Sequence, residues 1–115
     1  MFRFESLEIW QLAIEYCDKI YDAVDHFPSQ IQYTLGSQLR NSVLSISNNI
    51  AEGSGSSSKH EFRSFLNYSI RSTYETISGL FVAKRRQYIT EENFKEYYEK
   101  GEILAKKMRA FRASL

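Results

Sequence analysis

The sequence predicts an all-α fold, an antiparallel up-down-up-down four-helix bundle forming a single domain over residues 1–115. Three features carry that expectation. Apolar residues recur at alternating intervals of three and four through four long segments, the period of helices packed in bundles. The single proline, the glycines and one serine run divide those segments. The connections are short, which forces neighbouring helices to run antiparallel.

The first helix is expected over about residues 6–26. Leu7, Trp10, Ile14, Cys17, Tyr21 and Val24 form its stripe. Ser6 reads as the N-cap, and Phe27-Pro28 ends the helix because proline disfavours helical geometry at the preceding residue. A second stripe, Ile9, Ala13, Tyr16, Ile20 and Ala23, lies beside the first. Two stripes imply a wide buried face, either deep in the core or covered in part by another subunit. Ile9, Tyr16 and Ile20 are therefore the expected interface residues, with Tyr68 and Tyr98 as further candidates.

The second helix is expected over 34–52, on Leu35, Leu39, Val43, Ile46 and Ile50, with Ser42, Ser45 and Asn49 beside them. Gly53 reads as its stop. Gly53-Ser54-Gly55-Ser56-Ser57-Ser58 follows as a flexible linker. It is no phosphate-binding loop, because no strand precedes it and no Gly-Lys-Ser/Thr ends it.

The third helix, 58–87, opens on the capping box Ser58-Lys59-His60-Glu61 and continues through Phe62, Leu66, Ser69, Thr73, Ile77, Leu80 and Phe81. Its Ser69, Ser72, Thr73 and Thr76 are expected to face Ser42, Ser45 and Asn49, letting the two axes approach closely. Thr90 caps the fourth helix, 90–113, whose stripe is Phe94, Tyr97, Gly101, Leu104, Met108 and Phe111. Glu91 and Glu92 suit its first turn. At 1.5 Å per residue, these helices span roughly 27 to 44 Å.

Apolar residues make up 43% of the chain and charged residues 25%, which excludes disorder for most of it. No run approaches the roughly 18 apolar residues of a membrane span. Arg3 is followed by Glu5 and Glu8, unlike a secretory leader, so a cytoplasmic location is expected. Cys17, the one cysteine, falls on an apolar stripe and reads as an inert buried thiol.

No reaction is legible, and the expectation is a non-enzyme without metal or cofactor. A di-iron bundle needs two Glu-x-x-His motifs, and neither His26 nor His60 has a glutamate three residues before it. One cysteine and two isolated histidines cannot supply a zinc site. The Arg-x(4–6)-His pair of small helical RNases is missing, since the nearest arginine before His60 is Arg40. Glu52 and Glu75 could do acid–base work as a pair, but antiparallel helices set them far apart. Glu75 is expected to pair with Arg71 or Arg40, and Asn49 and Glu52 to bond backbone or serine groups and fix register.

The last turn Asn49-Ile50-Ala51-Glu52-Gly53 is unusual, because a helix C-terminus disfavours negative charge. With Leu7-Glu8-Ile9-Trp10-Gln11, Phe27-Pro28, Gln38-Leu39-Arg40, Ser45-Ile46, Glu61-Phe62, Phe65-Leu66, Ser72, Glu75 and Tyr88-Ile89, it resembles the four-helix bundle proteins encoded by intervening sequences in bacterial 23S rRNA genes. The matches cover residues 2 to about 90, and the last helix agrees only in character. Asn41 stands where the family has a second basic residue, and Arg71 where it has a glycine suited to close backbone approach. The resemblance implies a homo-oligomeric ring, commonly a pentamer. It also offers nucleic acid and a reverse transcriptase as partner classes, since one relative in retroelements works beside such an enzyme and binds nucleic acid.

Net charge is +1 but unevenly spread, −4 over residues 1–58 and +5 over 59–115. The predicted topology gathers Arg3, Lys59, Arg63, Lys106, Lys107, Arg109 and Arg112 at one bundle end, against Glu5, Glu8, Glu52 and Glu61. Lys59, Arg63, Lys106, Lys107, Arg109 and Arg112 are thus the candidate nucleic-acid contacts. A protein-binding scaffold without nucleic acid is the competing expectation.

Overall fold

A computed structural model describes residues 1–115. Its helices are α1 (Glu8–Asp25), α2 (Ser37–Ser54), α3 (Lys59–Arg85) and α4 (Glu91–Ser114). Each packs on two neighbours, α1 on α2, α2 on α3, α3 on α4 and α4 on α1, in a body 43 Å long and 23 Å across. The pairing contacts fix the directions. Between α2 and α3, Ser42 Oγ meets Thr76 Oγ1 at 2.8 Å and Ser72 Oγ donates to Ser45 Oγ at 2.9 Å. One number rises as the other falls, as in antiparallel neighbours. Lys107 with Glu8 and Lys19 with Glu96 show the same for α1 and α4.

The α2–α3 seam is as close as its small side chains allow. Ser69 Oγ donates to the Ile46 carbonyl at 2.7 Å, which brings a side chain of one helix onto the backbone of the other. Arg71 points outward and is exposed, so its bulk leaves this seam untouched. Substituting leucine at Ser45 or Ser72 is expected to lower stability by about 1–3 kcal/mol through overpacking. The check is the denaturant midpoint, and an unchanged value for both variants would contradict the packing.

Both stripes of α1 are apolar, but their roles are reversed from expectation. Ile9, Ala13, Tyr16, Ile20 and Ala23 are buried inside their own bundle, so Ile9, Tyr16 and Ile20 cannot be subunit contacts. Of the stripe expected to fill the core, only Val24 is fully buried. Trp10, Ile14, Cys17 and Tyr21 form a half-buried shoulder. Spacing alone cannot rank adjacent stripes; the two alanines mark the side where another helix approaches. The rest of the core includes Leu39, Val43, Ile46, Ile50, Leu66, Leu80, Leu104 and Met108. Each stabilises the fold by about 1.5–3 kcal/mol on burial.

Helix ends depart from expectation in instructive ways. Leu7, not Ser6, occupies the N-cap of α1; Ser6 lies in a short 3-10 turn and donates to the Arg3 carbonyl. Ser58 accepts from the Glu61 N–H and Thr90 from the Asn93 N–H, so both predicted caps form, the first without the reciprocal glutamate bond of a full box. The chain enters α2 through a 3-10 turn and a π-helical turn, Gln32–Gly36, rather than starting a regular helix at Thr34. At its other end α2 runs past Glu52 to Ser54. α3 stops in a Schellman turn: Gln87 N–H bonds the Lys84 carbonyl, Tyr88 N–H bonds the Ala83 carbonyl, and Gln87 takes the left-handed conformation at φ 64°.

Candidate nucleic-acid interface

Antiparallel packing lays the N-terminal half of α3 beside the C-terminal half of α4. Residues 59–74 and 103–115 carry Lys59, Arg63, Arg71, Lys106, Lys107, Arg109 and Arg112 against one acid, Glu61. Glu75 and Glu102 border this region towards the middle of the bundle. The positive field therefore lies along the side of the bundle as much as at its tip.

The side chains divide it further. Arg109 Nη1 donates to Tyr74 Oη at 2.9 Å and Arg112 Nη1 to Asn67 Oδ1 at 2.6 Å, so both lean from α4 onto α3. Arg63 Nη1 donates to the Leu115 oxygen at 3.0 Å. Lys107 leans the opposite way, to Glu8 on α1 at 3.0 Å. Positions 107 and 109 sit roughly 160° apart around a helix, which is why they cannot share a surface. Of the six predicted residues, Arg63, Arg109 and Arg112 come together, Lys59 sits at the start of α3, and Lys106 is exposed on α4. Lys107 is spent in an ion pair.

Arg109 and Arg112 each bond a neutral side-chain acceptor. A guanidinium has five N–H groups, so one such bond orients the fork and leaves both its charge and its remaining donors available. Sequence reasoning missed Arg71, whose guanidinium carbon lies 6.0 Å from the centre of the Tyr68 ring. The i, i+3 spacing Tyr68, Arg71, Tyr74 was the available signal.

The motif residues play structural parts. Arg40 does not reach Glu75; it donates to Gln32 Oε1 and to the Gln32 carbonyl, both at 2.9 Å. Gln32 Nε2 in turn donates to the Val24 and Phe27 carbonyls, closing the C-terminus of α1. Asn49 Nδ2 donates to the Ser45 carbonyl and hydroxyl, backbone and serine groups as expected, but both lie in its own helix and do not by themselves fix register. Glu52 and Glu75 are exposed and form no ion pair or hydrogen bond, contrary to the roles expected for them. Gly53 is not the helix stop: it lies inside α2, where a Cβ would fall 2.7 Å from Phe62 and 2.8 Å from Phe65.

Elsewhere, burial and the charge of Asp18 push the Cys17 thiol up, keeping it protonated and unreactive at neutral pH. No three His, Cys, Asp or Glu side chains gather into a metal-binding cluster. The widest cleft lies at the opposite bundle end, near Asp22, His26, Arg85 and Tyr97, with charges of both signs. An apolar groove between α3 and α4, lined by Tyr74, Ile77, Phe81 and Tyr98, occupies the middle of the molecule. No helix is long and apolar enough to cross a membrane.

A closed bundle of four antiparallel helices, distinguished by its surfaces more than by any enclosed site, is the class these features define. The chain belongs to the 23S rRNA-intervening sequence protein family, whose model matches residues 5–110 and so takes in α4 as well. No curated protein matches the sequence. The fold is similar to the crystal structure of a protein of unknown function from the S23 ribosomal protein family of Bacteroides thetaiotaomicron VPI-5482. That likeness has a TM-score of 0.82 at 22% identity, covering 90% of this chain and 97% of the other.

Proposed function

We propose that this protein is a non-enzymatic, self-associating cytoplasmic bundle that binds RNA or DNA through the cationic side formed by α3 and α4. The observation that supports this reading is the excess of basic over acidic residues in residues 59–74 and 103–115, six cations besides the paired Lys107 against one acid, with arginines oriented by neutral partners. Such contacts meet phosphates rather than base edges, so binding is weakly selective for sequence. Repetition of the face around an oligomer converts weak contacts into avidity.

Labelled RNA should bind at low salt, with log affinity falling by about 0.7 per phosphate contact for each tenfold rise in salt. Charge reversal at Lys106, Arg109 and Arg112 should abolish binding with helicity intact. The same change at Lys84, Arg85 and Arg86 should matter less, because Lys84 already pairs with Glu91 and Arg85 shares its cleft with Asp22 and Glu91. A wild-type protein that binds neither RNA nor DNA at low salt overturns the reading.

The groove at Ile77, Phe81 and Tyr98 favours a second role, contact between copies of the chain. Phe81 is half exposed, and α1 turns the acids Glu8, Glu15, Asp18, Asp22 and Asp25 to solvent. Seating the α1 side of one copy on the Phe81 and Tyr98 part of this groove in the next leaves Arg63, Arg71 and Arg112 free for phosphates. A head-to-tail contact of this type closes into a ring if its rotation allows, a pentamer being favoured. Light scattering is expected to give a multiple of 13.5 kDa, and Phe81→Glu to reduce it. A monomer at micromolar concentration would leave no self-association to explain. If nucleic-acid binding also fails, a protein-binding scaffold becomes the better reading.

A further inference from the structure

We infer that the cationic side is built for single-stranded nucleic acid, with Tyr68 and Tyr74 as stacking platforms for its bases. This rests on the nucleic-acid reading and adds to it the strand class and the residues that select it. The cations alone would suit any polyphosphate. The tyrosines would not be needed for that.

Both rings are more than half exposed, Tyr68 at 51% and Tyr74 at 58%, and both lie on the outward side of α3. Each presents a ring face to solvent on which a base can stack. Each is held in place by its surroundings. The Tyr74 hydroxyl accepts from Arg109, so its ring is anchored at the edge. Tyr68 rests edge-on against Phe65, with ring centres 6.2 Å apart. Arg71 lies between the two, about 60° round the helix from each, so the three step across the exposed face of α3 towards α4, where Arg112 sits beside Asn67.

Six helical residues separate the tyrosines by roughly 9 Å along the axis. An unpaired strand crossing α3 obliquely could then set nonadjacent bases on the two rings while its phosphates run past Arg71, Arg109 and Arg112. Stacking on aromatic rings tolerates any base and is a common way to hold unpaired strands. A duplex hides its base faces and offers only phosphates to the same surface. The expected selectivity is therefore for strand state rather than sequence.

Anisotropy of fluorescein-labelled oligouridylate and of a matched RNA duplex tests this on the intact protein. Wild type should bind the single strand more tightly than the duplex at equal salt. Tyr68→Ala and Tyr74→Ala should each weaken oligouridylate binding by about five- to a hundredfold, with the duplex nearly unaffected. Tyr68→Phe should restore single-strand binding, since the ring carries the effect. Circular dichroism controls for folding, and the exposure of both rings makes loss of fold an unlooked-for result. Equal affinity for both forms, or alanine variants that bind oligouridylate as well as wild type, would overturn the inference while leaving phosphate binding standing. Loss of all binding in wild type would overturn both.

Discussion

Gly53→Val is expected to lower the stability of the bundle by about 3 kcal/mol or more, a large share of the roughly 5–15 kcal/mol that holds a small domain folded. Helix propensity points the other way, because glycine costs about 1 kcal/mol relative to alanine inside a helix. The packing decides the sign. A Cβ at position 53 would sit 2.7 Å from Phe62 Cδ1, 3.1 Å from Phe62 Cε1 and 2.8 Å from Phe65 Cβ. Phe62 is fully buried and stacks edge-on against Phe111, so it has nowhere to retreat. Phe65 Cβ is fixed by the α3 backbone. Relief would require α2 and α3 to separate at this end, pulling apart the Ser45–Ser72 and Ile46–Ser69 bonds. Gly53→Ala should destabilise in the same direction by less, since propensity offsets part of the clash. Chemical denaturation of both variants checks the order, and an alanine variant more stable than wild type would show that the seam yields.

That position shows where the sequence was readable and where it was not. The four helices followed from spacing, because a 3.5-residue period over many turns has no other economical explanation. Thr90 and Ser58 were legible as caps because a cap is a local device. Gly53 was misread as a stop, since glycine after an apolar stripe fits a C-terminus as well as a close contact. Only the position of Phe62 and Phe65, from another helix, separates the two. Arg40 failed for a similar reason: its partner Gln32 lies in an irregular turn that no periodicity announces. The cations of α3 and α4 are legible in the sequence, but their directions around α4, which decide which of them share a surface, are not. Lys107 and Arg109 are neighbours in sequence and strangers in space. Arg71 was treated as a departure from a pattern, when its place between two exposed tyrosines was the informative fact.

Gly101 and Tyr16 should behave as a coupled pair. Tyr16 is buried, with its hydroxyl unpartnered, and burial pushes its ionisation well above the ordinary tyrosine range. A Cβ at Gly101 would lie 2.6 Å from that hydroxyl and 2.9 Å from Ile77 Cδ1. The Ile77 methyl can rotate aside, but a buried ring cannot. Gly101→Ala alone is therefore expected to cost about 2–3 kcal/mol. Tyr16→Phe alone should gain about 1 kcal/mol or more, because it removes a buried polar atom that has no hydrogen bond. In the double variant the deleted hydroxyl makes room for the new methyl, and the loss from Gly101→Ala should largely disappear. The expected coupling is in the upper part of the roughly 0.5–3 kcal/mol seen between touching residues. Alkaline titration gives an independent readout. Tyr16 favours its neutral form when folded, so its contribution is complete below the unfolded value near 10 and is lost as pH rises beyond it. Tyr16→Phe should lessen that alkaline loss, leaving the smaller part due to Tyr97, which burial also raises. Additive single effects, with an alkaline profile unchanged by Tyr16→Phe, would mean that the hydroxyl does not meet the Gly101 backbone.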